Sequence, residues 1–269
     1  MRAHGLRPKK ALGQNFLCDR RVAERIAAAA APEGGTVLEI GAGLGALTRA
    51  LLERAERVVA IERDRELCAV LEEVFGDESR LRLVPGDALA LDWAALLAGE
   101  PRPHAIAGNL PYAITGRLVS QIVGHARSIA RAVVMVQREV GERLTAAPGG
   151  RDYGLLTVFV QAAFAVERVC RVPAAVFLPP PQVESVVVAL VPHAVPRAVE
   201  TEDFARVVKS AFATRRKTLR NAWRALALPE GELAAAAARA GVSLDRRAEE
   251  LAVEDFARMA GELAARAIR

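Results

Sequence analysis

Leu38-Glu39-Ile40-Gly41-Ala42-Gly43-Leu44-Gly45-Ala46 is a short apolar run that empties into a glycine-rich turn and then into alanine- and leucine-rich sequence. A run of that length ending in glycines reads as a buried strand, and the helix it opens starts at Ala46 and continues to Arg54. The same alternation repeats downstream. Val37–Ile40 is followed by strand-like runs at Val58–Ile61, Leu81–Val84, Ala105–Ala107 and Val133–Val136, with a second helical pattern over Arg65–Phe75. Strands alternating with helices predict an α/β fold with a Rossmann-like, mostly parallel sheet. Ligands on such sheets bind outside the carboxyl ends of the strands, where Gly41, Glu62, Asp87 and Asn109 all fall.

A late strand is expected at Val183–Leu190 as part of the same sheet. Pro192 and Pro196 then mark a linker, and the alanine-rich remainder, broken at Pro229 and Gly241, reads as helical. The expected organisation is a catalytic domain over 1–195, including a basic N-terminal arm, and a small helical domain over 196–269.

The glycine turn matches G-x-G-x-x-A, and Glu62 stands about 20 residues on, at the end of the next strand, where it can accept from both hydroxyls of a ribose. A nicotinamide dinucleotide and S-adenosylmethionine both fit that pattern, so a dehydrogenase is the first alternative. Three features favour S-adenosylmethionine. Pro85-Gly86-Asp87-Ala88 ends the third strand with a carboxylate suited to an adenine amine. No placed His with an acidic partner offers hydride chemistry. Finally, Asn109-Leu110-Pro111-Tyr112 needs an explanation that a dehydrogenase does not supply.

That tetrapeptide combines an amide, a rigid turn and an aromatic ring. A nucleobase amine is a poor nucleophile while its lone pair is delocalised, so acceptors for its two hydrogens are required. The Asn109 side-chain oxygen and the Leu110 carbonyl can serve. Pro111 fixes the turn, and Tyr112 offers a flat face for an extruded base. An ordinary Asn-x-Pro turn after a strand is the bland alternative.

A net charge of +5 mildly favours a polyanionic partner, and the distribution of charge says more. Between Asp203 and Glu230 stand Arg206, Lys209, Arg215, Arg216, Lys217, Arg220 and Arg224 with no acidic residue among them. On a continuous helix, Arg216, Arg220 and Arg224 share one face suited to phosphates, although charge runs more often mark a solvated face. Arg2, Arg7, Lys9 and Lys10 form a second basic cluster. Cys18, Cys68 and Cys170 are isolated, as are His4, His104, His125 and His193, so neither a disulfide framework nor a metal site is expected. The start carries basic residues with no apolar signal core, and no apolar run approaches the roughly 20 residues that span a bilayer. A cytoplasmic monomer is the expectation.

Several segments together resemble the KsgA-type ribosomal RNA adenine dimethyltransferases, a family of class I S-adenosylmethionine-dependent enzymes. Lys10 to Leu17 is similar to the family's N-terminal cofactor motif, while Gly41 to Gly45, Glu62 and Asp87 resemble its successive cofactor motifs. Asn109 to Tyr112 resembles its catalytic loop, Phe177-Leu178-Pro179-Pro180-Pro181-Gln182-Val183-Glu184-Ser185 its proline-rich motif, and Ala211 to Asn221 the basic motif of its helical domain. Small departures are Ala42, where many relatives have proline, and Leu12, where some have an aromatic.

The resemblance implies that Gln14, Asn15 and Leu17 close over the cofactor, and that Gly41 and Gly43 meet its amino-acid end. Glu62 then holds its ribose, Asp87 and Ala88 hold its adenine, and Asn109 lies nearest the methyl. It implies further that Phe177 faces Tyr112 across the target base and that Arg215, Arg216, Lys217, Arg220 and Arg224 meet RNA. The substrate implied is a pair of adjacent adenosines in a small-subunit rRNA hairpin near its 3′ end, dimethylated during ribosome biogenesis. Two rivals remain: a large-subunit rRNA adenine methyltransferase of the antibiotic-resistance type, and a non-catalytic ribosome-assembly or transcription factor on the same fold.

Overall fold

The computed structural model describes residues 7–9, 12–214, 216–229 and 231–267. Arg2, His4, Lys10 and Arg215, singled out above, lie outside the described residues.

Among the described residues, nine strands and eleven α-helices follow one another. The strands are β1 (Phe16–Leu17), β2 (Thr36–Ile40), β3 (Arg57–Glu62), β4 (Leu81–Pro85), β5 (His104–Asn109), β6 (Arg131–Gln137), β7 (Phe164–Val172), β8 (Phe177–Leu178) and β9 (Ser185–Pro192). The helices are α1 (Arg20–Ala30), α2 (Ala46–Leu52), α3 (Arg65–Phe75), α4 (Trp93–Leu97), α5 (Thr115–Gly124), α6 (Arg138–Leu144), α7 (Leu155–Ala163), α8 (Glu202–Phe212), α9 (Leu219–Ala222), α10 (Glu232–Arg239) and α11 (Val253–Ala267).

Seven strands form one sheet in the order β4-β3-β2-β5-β6-β9-β7, and β1 pairs with β8 in a separate two-stranded ribbon. The five strands read from sequence pair in parallel, and β9 runs antiparallel to β6. All five residues of β2 are buried, Glu39 included, as expected of a central parallel strand covered on both faces. The expected late strand is β9, shifted to Ser185–Pro192. β7 is a strand the linear pattern does not announce, because α7 runs directly into it with no intervening turn.

Helix starts follow capping chemistry. Asp19 accepts from the amides of Arg21 and Val22 at the head of α1, and Asp64 and Asp92 do the same work for α3 and α4. Of these caps, Asp64 also accepts from the side chains of Lys9 and Gln14.

The chain divides into two compact units, one comprising the residues through Gly141 together with Val166–Pro192, the other Glu142–Ala165 together with the residues from His193 on. The first holds the parallel sheet and an apolar core in which Ile26, Leu51, Val37 and Val58 meet Leu17 and Phe177. The second has its own core around Trp223, Phe204, Phe256 and Tyr153. The expected division at 195/196 lies near the last crossing, between Pro192 and His193, whereas Glu142–Ala165, expected in the larger domain, groups by contact with the helical unit. The reason is visible in α7, whose Val158 and Ala162 are buried among the side chains of α8 and α11.

Candidate active site

The carboxyl ends of the parallel strands open into one cleft lined by the glycine turn, Glu62, Asp87, Ala88, the Asn109–Tyr112 loop and the segment Leu12–Leu17. Register explains the convergence. Ile40 stands opposite Ile61 on one side and Gly108 on the other, while Glu62 stands opposite Pro85, so the polar residue after each strand emerges at the same level.

The glycine turn is held by its own backbone. Both Gly41 and Ala42 donate their amides to the Ile61 carbonyl, at 2.9 and 3.2 Å. The Gly41 N–H is therefore already used, and its carbonyl is the polar group it can turn to a ligand. Gly45, at φ +80°, caps α2, and a Cβ there would stand 2.4 Å from Phe75. Glycine is thus fixed at this position by both the left-handed backbone and the packing.

Glu62 is 7% exposed and accepts from the amides of Gly43 and Asp64, each at 2.8 Å. Burial pushes its carboxyl up, against the pull of those amides. Each carboxylate oxygen holds one such bond and retains lone-pair capacity for a hydroxyl. Asp87 is half-exposed, accepts from Leu89 N at 3.0 Å and lies 3.4 Å from the Arg63 guanidinium. Behind Glu62, Glu39 is fully buried. It accepts from Thr48 Oγ1 at 2.6 Å through one oxygen and has no partner for the other, and burial pushes its carboxyl up to about 7.

Asn109 closes β5 and donates from Nδ2 to the Asn15 carbonyl at 2.9 Å. A carbonyl can only accept, so the contact fixes the amide: nitrogen toward Asn15, Oδ1 turned away and left as an acceptor. Leu110 is pinned beneath by its amide on the Met135 carbonyl at 3.0 Å. Tyr112 is half-buried, and its hydroxyl shares a 2.9 Å hydrogen bond with Ser185 Oγ, which fixes the ring; burial raises its pKa. None of the cleft-lining residues is a histidine.

The segment over the cleft is strapped down by charge. Lys9 Nζ reaches Asp64 at 2.8 Å and Glu66 at 3.1 Å, while Gln14 Nε2 donates to Asp64 at 2.9 Å. Burial raises the Asp64 carboxyl, but the bonds from Lys9 and Gln14 and from the Glu66 amide outweigh it and hold the group below its ordinary range. Sequence reasoning missed Asp64 as a part of the site. An Asp heading a helix just after Glu62 was the available signal, and it is equally the signature of a plain N-cap. The Ser185 contact carried no sequence signal at all.

Of the expected site residues, Gln14, Asn15, Leu17, Gly41, Gly43, Glu62, Asp87, Ala88 and Asn109 through Tyr112 all line the cleft. Phe177 does not. It pairs with Leu17 across the β1–β8 ribbon and, at 3% exposed, packs into the core with it. Opposite residues of an antiparallel pair face the same side, so Phe177 shares the side of Leu17 and packs with it in the core cluster.

In the helical unit the expected continuous arginine face is absent. Arg216 lies in a turn before α9, which covers only Leu219–Ala222, and Arg224 follows in a 3-10 turn. The interruption follows from tertiary bonds: Leu219 N and Arg220 N donate to Arg246 and Leu244 carbonyls, and Trp223 is buried with Nε1 on the Val207 carbonyl. Nor is the charge unbalanced. Asp245 pairs with Arg220 at 3.0 Å and Asp203 with Arg206 at 3.1 Å. Lys209, Arg216, Lys217 and Arg224 are exposed and carry no ion pair among the described residues.

Among the described residues, no cluster of His, Cys, Asp and Glu could hold a metal, and no helix is long and apolar enough to cross a membrane.

Comparison with known proteins places this architecture. A sequence profile described as ribosomal RNA adenine dimethylase matches residues 5–265. A Syntrophotalea carbinolica protein named ribosomal RNA small subunit methyltransferase A is 48% identical over 258 residues, covering 94% of this chain and 96% of the relative. A Moorella thermoacetica protein of the same name is 46% identical over 267 residues, covering 96% and 93%. Among solved structures, a dimethyladenosine transferase from Plasmodium falciparum superposes with a TM-score of 0.79 at 25% identity, covering 94% of this chain and 98% of that one. The 23S rRNA methyltransferase ErmE follows at 0.68 and 29%, covering 93% and 100%.

Proposed function

This chain belongs to the ribosomal RNA adenine dimethylase family, and from that premise we propose how its cleft performs the reaction and on which RNA. It is an S-adenosylmethionine-dependent rRNA adenine N6-dimethyltransferase acting in the biogenesis of the small ribosomal subunit. Its substrate is small-subunit rRNA, at two adjacent adenosines in a hairpin near the 3′ end, and it works as a monomer in the cytoplasm. The observation that carries the chemistry is the Asn109 amide, held with Oδ1 free at the mouth of a nucleoside-sized cleft. Relatives named for the small subunit match across nearly their whole length, which favours this reading over the large-subunit one.

The cleft fits S-adenosylmethionine on its own chemistry. Buried Glu62 suits a ribose diol, half-exposed Asp87 and the Ala88 backbone suit an adenine edge, and the Gly41 carbonyl suits an ammonium. When bound, the cofactor supplies a methyl group activated by its sulfonium. Leu12–Leu17 covers it, drawn in by the Asp64 strap and by the Asn15–Asn109 bond.

The protein's part in the transfer is alignment. The target adenine must leave its stack, which costs a few kcal/mol, and the fixed Tyr112 ring offsets part of that cost. Asn109 Oδ1 and the Leu110 carbonyl accept the amine hydrogens, which favours the tetrahedral nitrogen that attacks. The monomethylated amine keeps one hydrogen, so a single acceptor suffices for the second round. After transfer the cationic nitrogen is acidic enough to lose its proton to a carbonyl or to water. No histidine base is needed. In the helical unit, Arg216, Lys217 and Arg224 meet RNA phosphates, while Arg220 contributes less because Asp245 already engages it. Arg215 belongs to the same expectation and lies outside the described residues.

The test is mass spectrometry of ribosomal RNA from unmethylated small subunits before and after incubation with the protein and S-adenosylmethionine. N6,N6-dimethyladenosine at paired positions near the 3′ end is expected. Methylation confined to large-subunit rRNA, or none in either RNA, overturns the reading.

A further inference from the structure

After β4 the backbone turns at Asp87 and Ala88, both of which line the cleft, and Ala88 is only 9% exposed. The Asp87 carbonyl accepts from the amides of Ala90 at 2.9 Å and Leu91 at 3.2 Å. A trans peptide sets its C=O and N–H in opposite directions, so a carbonyl pinned into the turn aims the Ala88 N–H out of it. Among the described residues that N–H has no partner. An unpartnered amide in a nearly buried residue is costly, and where that residue lines a cleft it calls for an acceptor on the ligand.

The Ala88 carbonyl is held from behind. It accepts from Trp93 Nε1 at 2.9 Å and from Gln121 Nε2 at 3.3 Å, which fills both of its lone pairs. Trp93 is fully buried at the start of α4, and its ring stacks on His125 at the end of α5, with centroids 5.3 Å apart. Gln121 stands on α5, three residues after cleft-lining Leu118. Neither donor lines the cleft itself. The Ala88–Leu89 peptide lies between the Asp87 carbonyl and the two amides that pin it, so any rotation of that peptide pulls Ala90 and Leu91 off the carbonyl. Two side chains from two helices prevent the rotation.

We infer that Trp93 and Gln121 are positioning residues for the cofactor's adenine: by holding the Ala88 carbonyl they fix the turn that presents the Ala88 N–H to the ring nitrogen N1, beside the amine that the Asp87 carboxylate accepts. This rests on the proposed placement of adenine on Asp87 and Ala88. A carboxylate acceptor next to an amide donor complements the amine and N1 of adenine. The pair is effective only while both groups keep their spacing, and that spacing belongs to the turn.

The experiment uses the full-length protein and two probes, S-adenosylhomocysteine and its 1-deaza analogue, which has C–H in place of the acceptor nitrogen N1. Calorimetric Kd values for both, and the Tm, are measured for the wild type, Gln121→Met, Trp93→Phe and the double variant. The wild type should prefer S-adenosylhomocysteine by about five- to tenfold, the worth of one hydrogen bond. Each single variant should lose part of that preference, and the double variant should bind the two probes within about twofold of each other. An equal loss of affinity for both probes overturns the inference, because a merely structural role weakens binding without touching the preference. The wild-type preference retained in the double variant overturns it too and leaves the adenine placement standing. If the double variant melts below the assay temperature, Gln121→Met decides alone, since its side chain is half-buried and unbranched like the one it replaces; an undiminished preference there overturns the inference. A wild type that binds both probes equally overturns the placement of adenine on Ala88, and the inference with it.

Discussion

Replacing Asn109 by alanine removes two separable interactions, and their sizes can be worked out separately. The first is the acceptor for the reacting amine. Deleting one preorganised hydrogen-bonding group aimed at a reacting atom typically costs about 2.7–4 kcal/mol, a loss of roughly 10²- to 10³-fold in kcat. The second is the 2.9 Å bond from Nδ2 to the Asn15 carbonyl, which ties the covering segment down. That bond lies at a part-buried position, so its loss weighs about 0.5–1.5 kcal/mol and weakens cofactor binding by about two- to tenfold. Single-turnover methylation of unmethylated small subunits measures the first effect, and calorimetric titration with S-adenosylmethionine measures the second. Asn109→Asp separates them further. It keeps acceptors for the amine but sets a carboxylate oxygen against the Asn15 carbonyl, where nothing can donate, so cofactor affinity should fall below that of the alanine variant. Turnover within a few-fold of wild type in Asn109→Ala refutes the assignment of Asn109 to the amine. Full cofactor affinity in Asn109→Asp refutes the role of the tether.

Three further outcomes are expected. Gly45→Ala forces a left-handed backbone onto an L residue and a Cβ to 2.4 Å from Phe75; a destabilisation of about 1–3 kcal/mol should lower Tm by several degrees, and an unchanged melt would show that α3 yields at no cost. Glu39, fully buried, has its carboxyl raised from 4.5 to about 7, so the folded state holds a proton that the unfolded chain has released across that window. Stability should therefore fall as pH rises from about 4.5 to 7, by around 3 kcal/mol in all, and denaturant titrations of Glu39→Gln should show a flatter profile; parallel pH profiles for the two proteins would contradict this. In the helical unit, replacing Arg216 and Lys217 together should reduce the salt slope of RNA binding by about 0.7–0.9 per lost phosphate contact, whereas Arg220→Ala, already paired with Asp245, should change it less. A drop of a full 0.7–0.9 in Arg220→Ala would mean that the ion pair opens on binding.

Leu38 to Ala46 reads as a buried strand and a tight turn, and the alternation of such strands with helical stretches downstream placed the parallel sheet. Glu62, Asp87 and Asn109 were legible for a related reason: each is a polar residue at the carboxyl end of a strand, and parallel register brings such residues together. Gly45 is set both by its left-handed backbone in the turn and by the approach of Phe75 from α3. Contacts between segments distant in the chain followed other determinants. The facing of Phe177 was set by which residue of β1 it meets, and a shift of one residue would have exchanged it with Leu178. The arginine face was broken by bonds from α9 to the Leu244 and Arg246 carbonyls, and its charge was partly cancelled by Asp245. The sequence by itself determined the sheet, the cofactor turn and the amine-holding loop, because these depend on backbone preference and burial within a few residues. Only the tertiary structure decided which way the Asn109 amide points, what fixes the Tyr112 ring and which of Phe177 and Leu178 is buried, because each depends on a hydrogen bond or a register made with a segment far away in the chain.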